Sequence, residues 1–199
     1  IQLPIGEDYP PLADLLKLIN PLQDVDGFSI TMQELSVMRE PNEIITHPCY
    51  SPTAKGVLLL NMLVDPEIQG KQVAVIGKGL TSGLPNCLGA TVHTINSKST
   101  LDAKYHAMCE SEIIVSCAGV DVTNLILEED YSDAICINVG MRRENNKLVG
   151  DLDYNSICNH AKFINPVLGS TGKLTTLFLI YNCLASQMTH EIIAYNNER

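Results

Sequence analysis

The chain has 199 residues, 45% of them hydrophobic and 18% charged, enough for one sizeable domain or two small ones with a real core. Its formal net charge is −10 and no run of Lys or Arg exceeds two residues, which argues against nucleic acid or an anionic membrane as a partner. A signal peptide and an apolar run long enough to span a bilayer are both missing, so a cytoplasmic protein is expected.

In chain order, residues 1–47 have a texture of their own: tandem prolines at Pro10 and Pro11, a short helix-like piece at 12–19, and the turn QDVDGF at 23–28. A boundary is expected near Pro48 to Pro52, followed by a connecting helix through AKGVLLLNML at 54–63. Five apolar runs then read as strands, at 72–77, 91–96, 112–119, 134–140 and 162–167. They are near-continuously apolar rather than alternating, as strands covered on both faces must be. Helix-compatible segments at 80–88, 101–109, 122–130 and 153–160 lie between them. Strands alternating with helices imply right-handed βαβ units, so the expected fold is α/β, a Rossmann-like doubly wound parallel sheet. The segment 173–190 repeats Leu174, Leu177, Phe178, Tyr181, Leu184 and Met188 at helical spacing, which predicts an amphipathic helix with a core stripe.

Seven cysteines are scattered singly with no C-x-x-C pair and are expected to be buried, reduced thiols. The five histidines form no H-x-H or H-E-x-x-H pair, so no metal site is expected. His47 and Cys49 stand two apart on an extended segment and point to opposite sides, a poor arrangement for a thiol nucleophile.

The stretch VIGKGLTSGLP, 75–85, follows the first strand. Glycines at a first βα turn permit a tight bend and close backbone approach to a pyrophosphate, while the helix N-terminus offers free N–H groups. The third glycine comes one residue late for G-x-G-x-x-G, and only thirteen residues separate Gly77 from Thr91, close to the minimum for a crossover. The second strand ends in INSKS, without the acid that would bind ribose hydroxyls in an NAD site. Ser97, Lys98 and Lys78 instead suit a 2′-phosphate, so NADP is favoured over NAD. A second glycine cluster, GSTGKLTT at 169–176, fails the Walker A pattern at Val167 and Leu174 but still opens a helix.

Taken together, these segments resemble the bifunctional methylenetetrahydrofolate dehydrogenase/cyclohydrolase family. IQLPI (1–5) is similar to its V-Q-L-P-L, INPLQDVDGF (19–28) to its K-D-V-D-G-F, and HPCYSPTAKGV (47–57) to P-C-T-P-x-G with extra residues. VIGKGLTSGLP matches V-I-G-R-S-x-x-V-G-x-P, ATVHTINSKS (90–99) matches A-T-V-x-x-C-H-S-K-T, and VGDLDY (149–154) matches V-G-D-V-D-F. INPVLGSTGKLT (164–175) resembles I-T-P-V-P-G-G-V-G-P-M-T.

The resemblance implies hydride transfer from 5,10-methylenetetrahydrofolate to NADP, followed by a cyclohydrolase step where a catalytic lysine is supplied. Gln2 and Asp26 would be catalytic, Asp26 bonding the pterin and Gln2 orienting the lysine. Pro166 and Gly169 would lie on the loop over folate. Gly77, Lys78, Gly79 and Gly83 would form the pyrophosphate loop, Ser97 and Lys98 the 2′-phosphate end, and Gly140, Met141 and Thr175 the nicotinamide half. The implied organisation is a remnant of an N-terminal α/β folate-binding domain at 1–47, an NADP-binding domain at 48–172, and a helix at 173–199 packing back towards the folate domain. A homodimer is implied as well.

The sequence departs from the family at several points. The family's Y-x-x-x-K lysine lies upstream of V-Q-L-P-L, whereas this chain begins with Ile1 and contains no Y-x-x-x-K, so the N-terminal third is expected to be absent from it. Gly79 replaces Ser, Asn96 replaces His, the strand end D-x-G-I-N reads Asn138 to Arg142, and Leu168 and Lys173 replace prolines. Monofunctional dehydrogenases of the family are similar in carrying T-G-K there. Two other readings stay open: an inactive NADP- or folate-binding relative acting as a regulatory partner, and a different Rossmann-type oxidoreductase.

Overall fold

The computed structural model describes residues 9–29, 45–47, 50–77, 89–127 and 131–197. Five parallel strands form the main sheet: β1 (Gln72–Ile76), β2 (Thr91–Ile95), β3 (Ile113–Ser116), β4 (Tyr131–Asn138) and, after a hairpin, β7 (Ala161–Ile164). Their order is β2-β1-β3-β4-β7, so the chain leaves β1 to one side and returns to its other side through β3. All five strands fall where the apolar runs predict them, and the three central ones, β1, β3 and the second half of β4, are covered on both faces. Successive residues alternate between the covers. Val73 and Val75 join Ala54, Leu58, Ile113 and Ile137 in one core, while Ala74 and Ile76 join Met108, Ile114, Ile126 and Ile157 in the other.

The helices are α1 (Leu12–Lys17), α2 (Pro52–Val64), α3 (Leu101–Cys109), α4 (Asn124–Leu127), α5 (Tyr154–Ile157) and α6 (Thr171–Asn197). Local chemistry sets their starts. Ser51, Thr100 and Asp153 each accept an N–H of the following turn, and Pro52 occupies the first turn of α2, where a missing N–H costs nothing. Helix α5 is shorter than the expected 153–160, and α4 occupies only part of 122–130, of which 128–130 lie outside the described residues. The helix expected at 80–88 also lies outside them.

Three expectations are corrected. Periodicity did not foresee the antiparallel hairpin of β5 (Met141–Glu144) and β6 (Lys147–Gly150). Its two-residue turn places Asn145 and Asn146 at φ 49° and 63°, the left-handed pair that asparagine tolerates and that matches strand twist. Among the described residues the thiols are not uniformly buried: Cys109, Cys158 and Cys183 are exposed, Cys117 is half-buried, and only Cys136 is fully covered. Burial pushes the Cys136 thiol up to about 12, which keeps it protonated and inert near neutral pH.

The third correction concerns α6. Its inward face is Phe178, Asn182 and Ser186, whereas Leu177, Leu184 and Met188 of the expected core stripe are 57%, 63% and 62% exposed. The spacing is helical, but of the expected stripe only Leu174 and Phe178 turn inward, and the rest of the apolar side faces outward. The inward side packs on α2, where a Cβ on Gly56 would stand 3.0 Å from that of Leu174, so glycine permits the close crossing. Among the described residues no helix is long and apolar enough to cross a membrane, and no His, Cys, Asp and Glu cluster could hold a metal.

Candidate functional site

In an open parallel sheet, a cleft forms beyond the carboxyl ends of the strands where the chain reverses its direction of winding. Here that point lies between β1 and β3. A cleft of about 490 Å³ opens there, lined by Ile76, Gly77, Asn96, Ser97, Lys98 and Lys104, and on its far side by the Ala118–Leu125 segment. Its volume suits a bound small molecule.

Each wall has a local cause. Gly77 ends β1 at φ 135°, and a Cβ there would overlap the Cys117 carbonyl. The backbone is locked by Gly77 N–H donating to Ile95 O (2.8 Å) and Cys117 N–H to Ile76 O (2.7 Å). The glycine is therefore demanded first by β3, whatever ligand follows. Gly77→Ala is expected to lower stability by about 3 kcal/mol or more through strain and overlap, read as a fall in Tm before any loss of ligand binding.

At the end of β2, the Asn96 side chain accepts the Lys98 N–H (2.9 Å), and Asn96 N–H donates to Ser99 Oγ (3.1 Å). This short turn presents Ser97 and Lys98 to the cleft. Lys104, one turn into α3, brings a second ammonium to the same wall. Sequence reasoning singled out Ser97 and Lys98 but missed Lys104, whose only signal was its place in the first turns of the helix after INSKS. The described lining includes no carboxylate, so this wall fits a phosphorylated ribose better than free ribose hydroxyls.

The other half of the site rests on a buried polar knot. Asn138, the last residue of β4, accepts from Ser116 Oγ (3.1 Å) and Asp151 N–H (3.1 Å), and its amide donates to Leu152 O (2.8 Å). Asn165 grips its backbone from both sides: Asn138 N–H donates to Asn165 Oδ1 (2.7 Å), and Asn165 Nδ2 donates to Asn138 O (3.0 Å). Thr171 Oγ1, at the start of α6, donates to the same carbonyl (3.1 Å).

Asp151 of VGDLDY is fully buried and takes the N–H groups of Ala118 (2.6 Å) and Gly119 (3.1 Å) on one oxygen. It thereby fixes the segment that forms the far wall of the cleft. A Cβ on Gly140 would overlap this carboxylate, which is why glycine stands there. The other Asp151 oxygen is buried without a hydrogen-bond partner.

Burial pushes the Asp151 carboxyl above its ordinary range, opposed by the two N–H bonds, which favour the charged form. A raised folded-state pKa means the proton binds the native state more tightly. That contribution is complete below the ordinary carboxylate pKa and is lost as pH rises through the raised value. Asp151→Asn, which cannot ionise, should therefore gain in Tm relative to the parent as pH rises from about 4 to about 7, in paired melts.

The remaining expected site residues fall as follows. Met141 is exposed at the start of β5, beside Gly140. Pro166 is exposed, and Gly169, at φ 87°, lies in the exposed turn just before α6. The Thr175 hydroxyl is engaged within the fold, donating to Thr171 O (2.8 Å) and reaching Thr53 Oγ1 (3.3 Å) on α2. Asp26 is half-buried in a turn that Asp24 closes by accepting the N–H groups of Phe28 (3.1 Å) and Ser29 (2.6 Å), with Gly27 at φ 69°. Gln2, Lys78, Gly79 and Gly83 lie outside the described residues, as does Cys49.

Residues 51–191 match the family model described as tetrahydrofolate dehydrogenase/cyclohydrolase, NAD(P)-binding domain. The chain is 34% identical over 192 residues to the bifunctional protein FolD of a Sulfurihydrogenibium strain, covering 92% of this chain and 64% of that protein. Among solved structures it is similar to the Trypanosoma brucei N5,N10-methylenetetrahydrofolate dehydrogenase-cyclohydrolase, crystallised with NADP and an inhibitor. That match has a TM-score of 0.74 at 27% identity and covers 93% of this chain and 64% of that one. The bifunctional FolD enzyme of Campylobacter jejuni shares the fold, with a TM-score of 0.76 at 22% identity over 94% of this chain and 66% of its own. The chain thus spans just under two thirds of the relatives it matches. It belongs to the tetrahydrofolate dehydrogenase/cyclohydrolase family, and its residues 51–191 are that family's NAD(P)-binding domain.

Proposed function

We propose that the protein oxidises 5,10-methylenetetrahydrofolate to 5,10-methenyltetrahydrofolate with NADP, and that this chain supplies the cofactor domain and part of the folate pocket. The observation that carries the reading is the wall of Ser97, Lys98 and Lys104, with no carboxylate among its described lining residues. A 2′-phosphate is a dianion at neutral pH, and two ammonium groups and a hydroxyl match it where a ribose diol would need an acid. NADP, when bound, supplies the hydride acceptor. The protein's own task is placement: Lys98 and Lys104 anchor one end, and Gly140, Met141 and Thr175 border the nicotinamide half. Asp26 holds the pterin, with Pro166 and Gly169 on the loop over it, and Gln2 orients the lysine of the cyclohydrolase step.

The outward face of α6 supports a further part of this reading, that the helix packs against the folate-binding part of the protein. Leu177, Ile180, Leu184 and Met188 are exposed on it, the kind of contiguous apolar surface that soluble proteins cover. The match covers 64% of the Sulfurihydrogenibium relative, so about a third of its length lies outside the stretch matched here. A cytoplasmic homodimer accompanies the reading.

Calorimetric titration of the full-length protein with NADP and with NAD tests the cofactor assignment. NADP is expected to bind at least about tenfold more tightly, and equal affinities would contradict it.

A further inference from the structure

Lys55, in the first turns of α2, is fully buried, an expensive place for an ammonium unless its surroundings use the charge. Its Nζ donates to Asn182 Oδ1 (2.6 Å) and to His47 O, and it lies 5.8 Å and 5.3 Å from the ring centroids of Phe178 and Tyr181. Asn182, also fully buried on α6, turns its amide the other way and donates to Val25 O (2.7 Å) and Tyr50 O (2.8 Å). Two helices and the turn that carries Asp26 therefore meet at one amide.

The peptide plane makes this contact consequential. Val25 C=O and Asp26 N–H belong to the same rigid peptide unit, so holding the Val25 oxygen orients the backbone from which the Asp26 side chain springs. Asp24 holds the turn from within, through the Phe28 and Ser29 N–H groups. Asn182 holds it from outside, and Lys55 fixes which way the Asn182 amide faces: an ammonium can only donate, so the oxygen must point to it and the NH₂ to the carbonyls.

We propose that Asn182 and Lys55 are positioning residues for the folate side of the reaction, setting the orientation of Asp26 through the Val25–Asp26 peptide. This rests on the function proposed above. The network stands at the same carboxyl end of the sheet as the cofactor cleft, where α2 begins, but shares none of the cleft's described lining residues.

The test is a double-mutant cycle on the full-length protein, with Asn182→Ala and Asp26→Asn made singly and together. Asn182→Ala should lower kcat/KM for methylenetetrahydrofolate by about tenfold or more, leave the NADP KM within about twofold, and add less than about twofold in the Asp26→Asn background. A loss of equal size in both backgrounds, or an NADP KM rising in step, would overturn the proposal, because either describes general loosening. Should Asn182→Ala not fold, Lys55→Met in the same cycle reads the same coupling, with a smaller loss of about threefold to tenfold. If the unaltered protein oxidises no methylenetetrahydrofolate, the function falls and the proposal with it; an active protein with an unmoved kcat/KM for the folate in the variants overturns the positioning role alone.

Discussion

Replacing Lys98 and Lys104 together with Met is expected to raise the KM for NADP by about a hundredfold while changing that for NAD by less than about threefold. On the proposed function each ammonium would make a charge-assisted contact to a phosphate dianion, worth about 1.5 kcal/mol or more on a partly open wall. Two such contacts give about two orders of magnitude, since 1.4 kcal/mol corresponds to tenfold. Met keeps the apolar stem of each side chain, so the wall stays packed while the charge goes. The effect should shrink at high salt, where screening weakens the phosphate contact in the parent. Steady-state kinetics with both cofactors at two ionic strengths is the measurement. Equal rises for NADP and NAD would mean that the lysines shape the cleft without reading the phosphate.

Asn138→Ala is expected to produce the largest loss of stability of any single change at the site, about 3–5 kcal/mol, or roughly 10 °C in Tm for a chain of this size. Alanine leaves the Leu152 carbonyl, the Leu152 N–H and the Ser116 hydroxyl without the partner each now has in a buried position, while the Asp151 N–H keeps Gly140 O (3.2 Å). An unsatisfied buried polar group costs about 1–3 kcal/mol, and three are created at once. Function should fail with stability, because the same residue ties β4 to the VGDLDY segment and, through Asp151, to the far wall of the cleft. Thermal melts with and without NADP would read both. A Tm within about 2 °C of the parent would show that the knot rearranges around the missing amide.

The sheet was legible because strands buried on both faces must be written in Val, Ile and Ala, as at Val73 to Ile76 and Ile113 to Val115. Ser97 and Lys98 were legible for a similar reason, since they follow directly on a strand end. The facing of α6 was not. Beyond Leu174 and Phe178 its inward side carries Asn182, which meets a buried ammonium and two backbone carbonyls, so hydrophobic spacing pointed the rest of the stripe to the wrong side. The Asn138–Asp151–Asn165 knot joins residues 13 and 27 positions apart in the chain, and no local pattern announces which carbonyl an asparagine will find. The hairpin carried a readable signal in Asn145-Asn146, the left-handed turn pair, but it sat between short, polar strands that periodicity alone passes over.

The most direct test of the account is the rate at which the full-length protein converts 5,10-methylenetetrahydrofolate to the methenyl form, followed by the absorbance of the product with NADP and with NAD as acceptor. The account predicts turnover with NADP, a kcat/KM at least about tenfold lower with NAD, and a kcat/KM that is measurable but at least about tenfold lower in Asp26→Asn. Tight NADP binding with no oxidation of the folate would contradict it, and would make the chain a cofactor-binding member of its family that does not carry out this reaction.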